Sequence, residues 1–291
     1  MPKKVSFPPD SSLFTSVDGK IVPPQKATLA IQDWGFRYGW GAFETIRLTE
    51  GRPLFLVPHL QRLARTAAAL LIDDSDRSDW WRREIVRTAS RAGLAEGAIN
   101  LYWTRGESPR FVGRRIVVVR PQSGRAPRRS RIWVAPWCVE PGSPGVGSKT
   151  LCYLPYTFAT LAAQMAGFDD AILLNPRGRI ADGSAASLFV IENGQLLTPG
   201  LSDGALPGIT RAIVLECARG LGITTIKRPL SMRRAQNAHG AFLTSSLRGL
   251  TVVRSIGNHD LGMTPEARQL IGLLQRAYRR AAKADIAAFK F

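Results

Sequence analysis

Lys149 is an isolated lysine in a chain that otherwise prefers arginine. It is the only lysine between Lys26 and Lys227. Arginine cannot replace lysine where a neutral amine must attack a carbonyl carbon, because the guanidinium stays protonated. The retained lysine therefore indicates amine chemistry at this position. The alternative is a solvated surface lysine, which is the commonest environment of this residue type.

The segments around Lys149 predict a mixed α/β protein. Apolar residues at helical spacing predict helices over residues 59–72, 76–92, 156–166 and 265–287, with another that begins at Gly208. Alternating or β-branched runs between turns predict strands, among them 27–32, 43–48, 99–104, 115–120, 131–139, 171–174 and 187–192. Lys149 itself follows a glycine- and proline-rich loop that runs from Pro141 to Ser148.

A change of composition near the middle of the chain predicts two domains. The stretch from Pro121 to Pro127 is rich in proline, glycine and serine, which is typical of a connection between domains. We predict a small N-terminal α/β domain over residues 1–120, a linker over 121–130 and a larger C-terminal domain over 131–291.

The composition excludes several classes of function. The chain has 291 residues, 45% of them hydrophobic and 21% charged, which is ordinary for a globular protein. Its net charge of +18 attracts anions, but the arginines are dispersed and no nucleic-acid-binding motif accompanies them. No apolar run is long enough for a membrane span or a secretory signal. Three cysteines without CxxC spacing predict reduced thiols, no metal site and a cytoplasmic location.

A series of short motifs occurs in a defined order along the chain. They are Asp33–Thr45 (DWGFRYGWGAFET), His59–Leu63 (HLQRL), Lys149–Pro155 (KTLCYLP), Ile180–Ser184 (IADGS), Leu206–Arg211 (LPGITR) and Thr244–Gly249 (TSSLRG). The series resembles the class IV aminotransferases, which include branched-chain and D-amino-acid aminotransferases and aminodeoxychorismate lyase. The resemblance extends from about Val17 to about Ile256. It implies a two-domain fold of type IV, a pyridoxal 5′-phosphate cofactor bound mainly by the larger C-terminal domain, and at least a homodimer.

The resemblance gives three residues a role at the cofactor ring. Lys149 matches the lysine that binds the cofactor aldehyde covalently and then moves a proton, which requires a depressed amine pKa. Tyr153 matches a tyrosine beside the phenolic oxygen of the cofactor; the alternative is a packing aromatic. Asp182 matches the anion at the pyridine nitrogen, where most of the family has glutamate. Because Asp182-Gly183 is also a good turn dipeptide, a turn residue is the alternative.

The resemblance also implies a phosphate site with several donors. Ile209 and Thr210 begin a helix after Pro207, so their N–H groups and the helix dipole would face the phosphate. Leu206 matches a residue that packs on the ring. Arg62 matches the phosphate-binding arginine, with a helix-surface arginine as the alternative. The small polar residues Ser245 and Ser246 match those that complete the phosphate and carboxylate shell.

The implied substrate contacts are fewer, and some depart from the family pattern. Arg110 matches an arginine that binds the substrate carboxylate in D-amino-acid aminotransferases, with a surface arginine as the alternative. Val112 replaces the histidine that accompanies it in those enzymes. Phe43 matches an aromatic wall of the side-chain pocket; strand core is the alternative. Trp40 stands where the family has aspartate, and Ser187 where asparagine is common, so both changes bear on specificity.

The prediction from the sequence is a transaminase that moves an amino group between an amino acid, of the branched-chain or D-amino-acid type, and a 2-oxo acid, both of them small-molecule substrates. An aminodeoxychorismate lyase-like enzyme is the alternative, because the predicted lysine and phosphate sites suit both reactions. A non-catalytic member of the family that binds anions or nucleic acid through its basic surface is a third. Retention of Lys149, Asp182 and Arg62 argues against this third hypothesis, since drift would readily exchange such a lysine for arginine.

Overall fold

The computed structural model describes residues 14–72, 77–107, 113–122 and 129–290. They form two compact units. Within the described ranges, the first unit contains residues 14–122, 148–153 and 282–290, and the second contains 129–147 and 154–281. Both contain helices and strands, which confirms the predicted α/β class. Compactness does not show independent folding, so the domain boundaries near residues 121–130 stay a prediction.

The first unit is built on a six-stranded antiparallel sheet in the order β2-β1-β6-β5-β3-β4. Its strands are β1 (Phe14–Val17), β2 (Lys20–Val22), β3 (Gly41–Thr49), β4 (Arg52–Pro53), β5 (Gly97–Thr104) and β6 (Arg115–Arg120). β3 and β5 pair from Gly41 opposite Thr104 to Leu48 opposite Gly97. This long pairing gives β3 a firm position, and β3 carries Phe43.

Two helices pack on this sheet, and a shorter one precedes them. They are α1 (Trp34–Tyr38), α2 (Leu56–Ala69) and α3 (Ser78–Ala92). Leu56, Leu60 and Leu63 form a buried stripe on α2 because residues three and four apart share a helix face. α2 begins at Leu56, before the predicted start at residue 59. The helix can include Pro58 because this residue lies in the first turn, where its missing N–H is not needed. α2 ends before the predicted residue 72, where Leu71 has a φ of 53°.

Residues 27–32 were predicted to be a strand, and this prediction is wrong. Residues 27–30 and 33 have irregular backbone, and 31–32 form a turn. The apolar residues Leu29 and Ile31 that suggested a strand are exposed in the chain, so their alternation does not mark a core face.

The second unit is built on a nine-stranded mixed sheet. Eight strands follow the order β12-β11-β10-β13-β14-β7-β8-β9, and β15 pairs with β14. The strands are β7 (Arg129–Cys138), β8 (Asp170–Leu174), β9 (Ile180–Gly183), β10 (Ser187–Glu192), β11 (Gln195–Thr198), β12 (Thr225–Lys227), β13 (Gly240–Ser245), β14 (Gly249–Ile256) and β15 (His259–Asp260). The parallel pairs are β11–β12, β14–β7 and β7–β8.

Four helices complete the chain. They are α4 (Leu154–Met165), α5 (Ile209–Gly220), α6 (Met232–Gln236) and α7 (Pro265–Ala288). Ala159 and Ala163 of α4 are fully buried and pack against Ala171 and Leu173 of β8, because small side chains allow a helix to approach a sheet closely. Among the described helices, none is long and apolar enough to cross a bilayer.

Candidate active site

Lys149 belongs to a short segment that lies against β3 in the first unit. The Phe43 N–H donates to the Lys149 carbonyl oxygen at 2.9 Å, and the Leu151 N–H donates to the Gly41 carbonyl oxygen at 2.8 Å. A Cβ at Gly41 would lie 2.5 Å from Leu151 Cδ1 and 2.8 Å from the Trp103 carbonyl oxygen, so only glycine allows this approach. The backbone of β3 therefore fixes where the Lys149 side chain begins.

The Lys149 amine lies against two aromatic rings. Its Nζ is 4.2 Å from the ring centroid of Phe43 and 5.0 Å from that of Tyr153. These two rings meet edge to face at a centroid distance of 5.0 Å, and Tyr102 stacks on Phe43 across the β3–β5 pair. Aromatic faces attract a cationic amine and shield it from water, which restricts the lysine to a defined place. The structure thus brings together Phe43, Lys149 and Tyr153 among the predicted residues.

Arg62 belongs to a buried charge cluster that also contains Glu44 and His59. The Arg62 Nε and Nη2 atoms donate to Glu44 Oε1 and Oε2 at 2.6 and 2.8 Å. His59 Nδ1 lies 2.8 Å from Glu44 Oε2. Glu44 is fully buried and Arg62 is only 4% exposed. The surface-residue alternative for Arg62 is therefore wrong, because this guanidinium lies in the interior.

The cluster carries a carboxylate and a neutral histidine at neutral pH. Burial alone would raise the pKa of Glu44, but the charges and hydrogen bonds of Arg62 and His59 outweigh burial and lower the pKa to about 2. Burial lowers the pKa of His59 and outweighs the opposing Glu44 charge. Since the carboxylate only accepts, His59 Nδ1 donates to it. The positive charge of Lys149 also acts on His59, in the lowering direction.

Glu44→Gln is expected to destabilise the fold by about 3 kcal/mol at pH 7, because it leaves the buried Arg62 without its counter-charge. The folded-state pKa of Glu44 is below the ordinary 4.5, so the carboxylate stabilises the fold above pH 4.5 and loses this effect as the pH falls towards about 2. Urea unfolding at pH 7, 5, 4 and 3 measures the free energy of unfolding of wild type and variant. The difference between the two free energies should become smaller below pH 4.5. The exposed Glu96→Gln is the control and should differ little from wild type.

Asp182 lies in β9 of the second unit, and its side chain is buried. Its Oδ1 accepts from the Gly183 N–H at 3.0 Å, and its Oδ2 accepts from the Leu206 N–H at 2.9 Å. Both carboxylate oxygens thus accept from backbone N–H groups. The second bond also ties Leu206 to Asp182. Because β9 and the loop before α5 are far apart in the sequence, Asp182 is more than a local turn residue.

The negative charge of Asp182 acts on the pKa values of Tyr156 and Arg211. Burial raises the pKa of Tyr156, with Asp182 acting in the same direction, to about 12, so the phenol is protonated at neutral pH. Burial lowers the pKa of Arg211, and Asp182 opposes this. Arg211 donates through Nη2 to the Pro199 carbonyl oxygen at 2.9 Å. Its guanidinium is thus held at the end of β11.

The start of α5 offers backbone donors for an anion. Gly208 is the residue that precedes the helix and, as a glycine, it provides no side-chain cap. The first N–H groups of a helix need acceptors from outside the helix, so an uncapped start suits a phosphate. A Cβ at Gly208 would lie 3.0 Å from Ser187 Oγ, which leaves little space for a side chain. Ile209 and Thr210 are both buried.

Ser245 is the last residue of β13, Ser246 begins the turn to β14, and both are half-buried. Arg248 Nε approaches Ser245 Oγ at 3.5 Å, and Arg248 Nη2 donates to Asp170. The buried Asp170 also accepts from Ser184 Oγ at 2.7 Å, two residues after Asp182. Asp170 therefore connects the serine-bearing turn with the strand of Asp182.

The predicted residues fall into two groups. Phe43, Arg62, Lys149 and Tyr153 lie in the first unit. Those of the second unit are Asp182, Leu206, Ile209, Thr210, Ser245 and Ser246. Arg110 and Val112 lie outside the described residues. Trp40 donates its indole N–H to the Leu70 carbonyl oxygen at 2.7 Å and contacts Trp34.

Sequence reasoning missed Glu44, although a signal for it was present. β3 alternates, and Ala42, Glu44, Ile46 and Leu48 share one face and are all fully buried. A carboxylate in a row of apolar residues predicts a buried charge with a partner. Asp170 offered a weaker signal, as one of two adjacent aspartates before an apolar strand.

Comparison with known proteins relates the chain to one family. The family model described as amino-transferase class IV matches residues 41–256. A Methanocaldococcus jannaschii protein assigned as a branched-chain-amino-acid aminotransferase is 30% identical over 84% of this chain and 90% of the relative. A structure from Legionella pneumophila, assigned as a 4-amino-4-deoxychorismate lyase, has a TM-score of 0.78 and 30% identity, covering 88% of this chain and 98% of that one.

The fold is also similar to that of a solved structure with lower sequence identity. The branched-chain aminotransferase of Thermoproteus uzoniensis, solved with norvaline, has a TM-score of 0.84 at 24% identity and covers 94% of this chain and 97% of its own. At this identity the likeness shows the fold alone, which is the predicted fold type IV.

Proposed function

Since the chain belongs to the class IV aminotransferase family and is an enzyme of the transaminase type, we propose that it binds pyridoxal 5′-phosphate through Lys149 and transfers an amino group from an amino acid to a 2-oxo acid. The observation that carries this proposal is the place of Lys149. Its amine is held against the rings of Phe43 and Tyr153 by a segment hydrogen-bonded to β3. A surface lysine needs no such support.

The residues present suit this cofactor. When bound, pyridoxal phosphate supplies a carbonyl that forms a covalent bond with an amine and a ring that withdraws electrons from the substrate α-carbon. Asp182 offers a buried carboxylate for the ring nitrogen, and the uncapped start of α5 offers donors for the phosphate. Arg62 would add a guanidinium to the phosphate, and Leu206 an apolar contact to the ring.

Each of these residues would have a separate task in catalysis. The neutral Lys149 amine would move the proton between the substrate α-carbon and the cofactor carbon. Asp182 would hold a proton on the ring nitrogen by its negative charge. Tyr153 would donate to the phenolic oxygen, and Ser245, Ser246 and the predicted Arg110 would bind carboxylate or phosphate oxygens.

We propose a branched-chain amino acid as the donor, supported by the name of the Methanocaldococcus jannaschii relative and by the aromatic wall of Phe43. The purified enzyme should be mixed with single L- and D-amino acids, and conversion of the bound cofactor to its amine form followed by absorbance. L-leucine, L-isoleucine or L-valine should react faster than D-alanine. The opposite order would assign the enzyme to D-amino acids.

A lyase is the second candidate, and one observation favours it. The Ser246-Leu247-Arg248-Gly249 sequence is similar to the lyase side of the family, and the Legionella pneumophila relative carries a lyase name. Elimination needs no amino acceptor. Turnover of aminodeoxychorismate without any 2-oxo acid would therefore favour the lyase, while a strict requirement for the 2-oxo acid would favour the transaminase.

We also propose a homodimer, with the segment 29–38 as part of its interface. Ile31 is 69% exposed and Phe36 66% exposed, and Leu29 and Tyr38 are exposed as well. Such a group of apolar side chains on one short segment is typical of a surface that binds a partner. Phe36→Glu is expected to shift the protein towards monomers in sedimentation velocity. Leu221→Glu in the second unit is the control and should leave the dimer intact.

We place the enzyme in the cytoplasm. Cys138, Cys152 and Cys217 are free thiols in the structure, which fits a reducing compartment.

A further inference from the structure

We propose that Glu44 is a positioning residue, which orients the Arg62 guanidinium towards the cofactor phosphate. This inference rests on the proposed function, because it assigns a task to a residue that supports the predicted phosphate site. Glu44 does not touch the cofactor in this proposal. It acts through Arg62.

The first argument is the burial of the arginine. A guanidinium that is 4% exposed needs a counter-charge even when no phosphate is bound, because an unpaired buried charge is costly. Glu44 provides that charge at 2.6 and 2.8 Å. Arg62 can therefore remain in the interior in both the cofactor-free and the cofactor-bound protein.

The second argument is the geometry of the pair. Both bonds use the Nε–Nη2 edge of the guanidinium, and each reaches a different carboxylate oxygen. This two-point contact fixes the plane of a group that is otherwise free to rotate about several bonds. The guanidinium therefore has a fixed orientation relative to β3, and any anion that Arg62 binds meets it in that orientation.

The third argument is the support of the carboxylate itself. Glu44 lies on β3, whose pairing with β5 is regular over its length, and His59 of α2 donates to the same Oε2 that Arg62 Nη2 contacts. Arg62 lies on the same helix, three residues after His59. The carboxylate thus ties the side chains of one helical turn to the sheet, which is how a supporting residue limits the movement of a ligand-binding group.

The test compares the affinities for pyridoxal 5′-phosphate and for pyridoxal, which lacks the phosphate. Both aldehydes can react with Lys149. The ratio used here is the dissociation constant of pyridoxal divided by that of pyridoxal 5′-phosphate, and it measures the contribution of the phosphate to binding. Glu44→Gln keeps the size of the side chain and removes its charge. We expect it to reduce this ratio at least about tenfold, equivalent to ~1.4 kcal/mol, with little change in the affinity for pyridoxal. Glu96→Gln, an exposed carboxylate of the same unit, should leave the ratio unchanged.

A double-mutant cycle separates positioning from a general structural effect. Arg62→Ala is expected to reduce the same ratio by about 10- to 100-fold, the scale of a charge-assisted hydrogen bond. In the Arg62→Ala background, Glu44→Gln should then have no further effect on the ratio. Additive effects would overturn the proposal, because Glu44 would act on the phosphate without Arg62.

The outcomes also distinguish this inference from the proposed function. If Arg62→Ala reduces the ratio and Glu44→Gln does not, Glu44 is only a structural partner and the inference fails alone. If wild type does not distinguish the two aldehydes, or if Arg62→Ala has no effect, the proposed phosphate role of Arg62 fails and the inference fails with it. If Glu44→Gln does not fold, Glu44→Asp serves in its place. It keeps the charge but shortens the reach, and an unchanged ratio in that variant would contradict the proposal.

Discussion

Lys149→Ala is expected to lose amino transfer by at least about 10³-fold and to lose the covalent attachment of pyridoxal phosphate, while it keeps its fold. Lys149 is the lysine whose amine lies against the rings of Phe43 and Tyr153. The amine has two tasks in the proposed reaction, since it binds the cofactor aldehyde and then moves the proton at the substrate carbon. Removal of the side chain abolishes both.

Borohydride reduction of the cofactor-loaded protein, followed by peptide mass spectrometry, measures the attachment directly. The adduct should appear on Lys149 in wild type and disappear in the variant. Lys149→Arg is a sharper variant, because it keeps the positive charge but cannot supply a neutral amine. Lys227→Ala, at the end of β12, is the matched control and should react like wild type. An adduct on any lysine other than Lys149 would contradict the assignment.

Asp182→Asn is expected to slow amino transfer by about 10²- to 10³-fold, with a much smaller change in cofactor affinity. Asparagine keeps an oxygen that can accept from the Leu206 N–H, so the local structure should persist. It removes the negative charge that would hold the proton on the ring nitrogen. The loss should therefore appear in kcat rather than in the dissociation constant of the cofactor.

Two further variants serve as comparisons for Asp182→Asn. Asp203→Asn removes another buried carboxylate from the same unit and should alter stability more than kcat. Asp182→Glu restores the residue that most of the family has at this position and should keep substantial activity. If Asp182→Asn were as active as wild type, Asp182 would serve only to bind the Leu206 and Gly183 N–H groups, and the ring nitrogen would have another partner.

The helices were the most predictable part of the fold. α7 was predicted over 265–287 and occupies Pro265–Ala288, because a long amphipathic repeat and an initial proline define both its period and its start. The prediction of a strand at 27–32 was wrong because it depended on alternation alone. Alternation records that every second residue is apolar, but it does not record whether another element covers that face.

The charge cluster shows what sequence periodicity can and cannot determine. The inward position of Glu44 could have been predicted from the apolar residues that alternate with it in β3. Its partners could not, because Arg62 and His59 reach it only after α2 has packed on the sheet. Burial of Arg62 likewise depends on the tertiary structure, since a single arginine in a helix is equally compatible with solvent.

The sequence by itself determined the α/β class, the lysine suited to amine chemistry and the ordered motifs that identify the family. These depend on residue types and on local spacing, which are present before folding. Only the tertiary structure decided that residues 148–153 lie against β3, that Glu44 is the counter-charge of Arg62, and that Asp182 holds the Leu206 N–H. Each of these is a contact between residues distant in the chain. Such a contact exists only when packing brings the two segments within hydrogen-bonding distance, and local spacing does not record that distance.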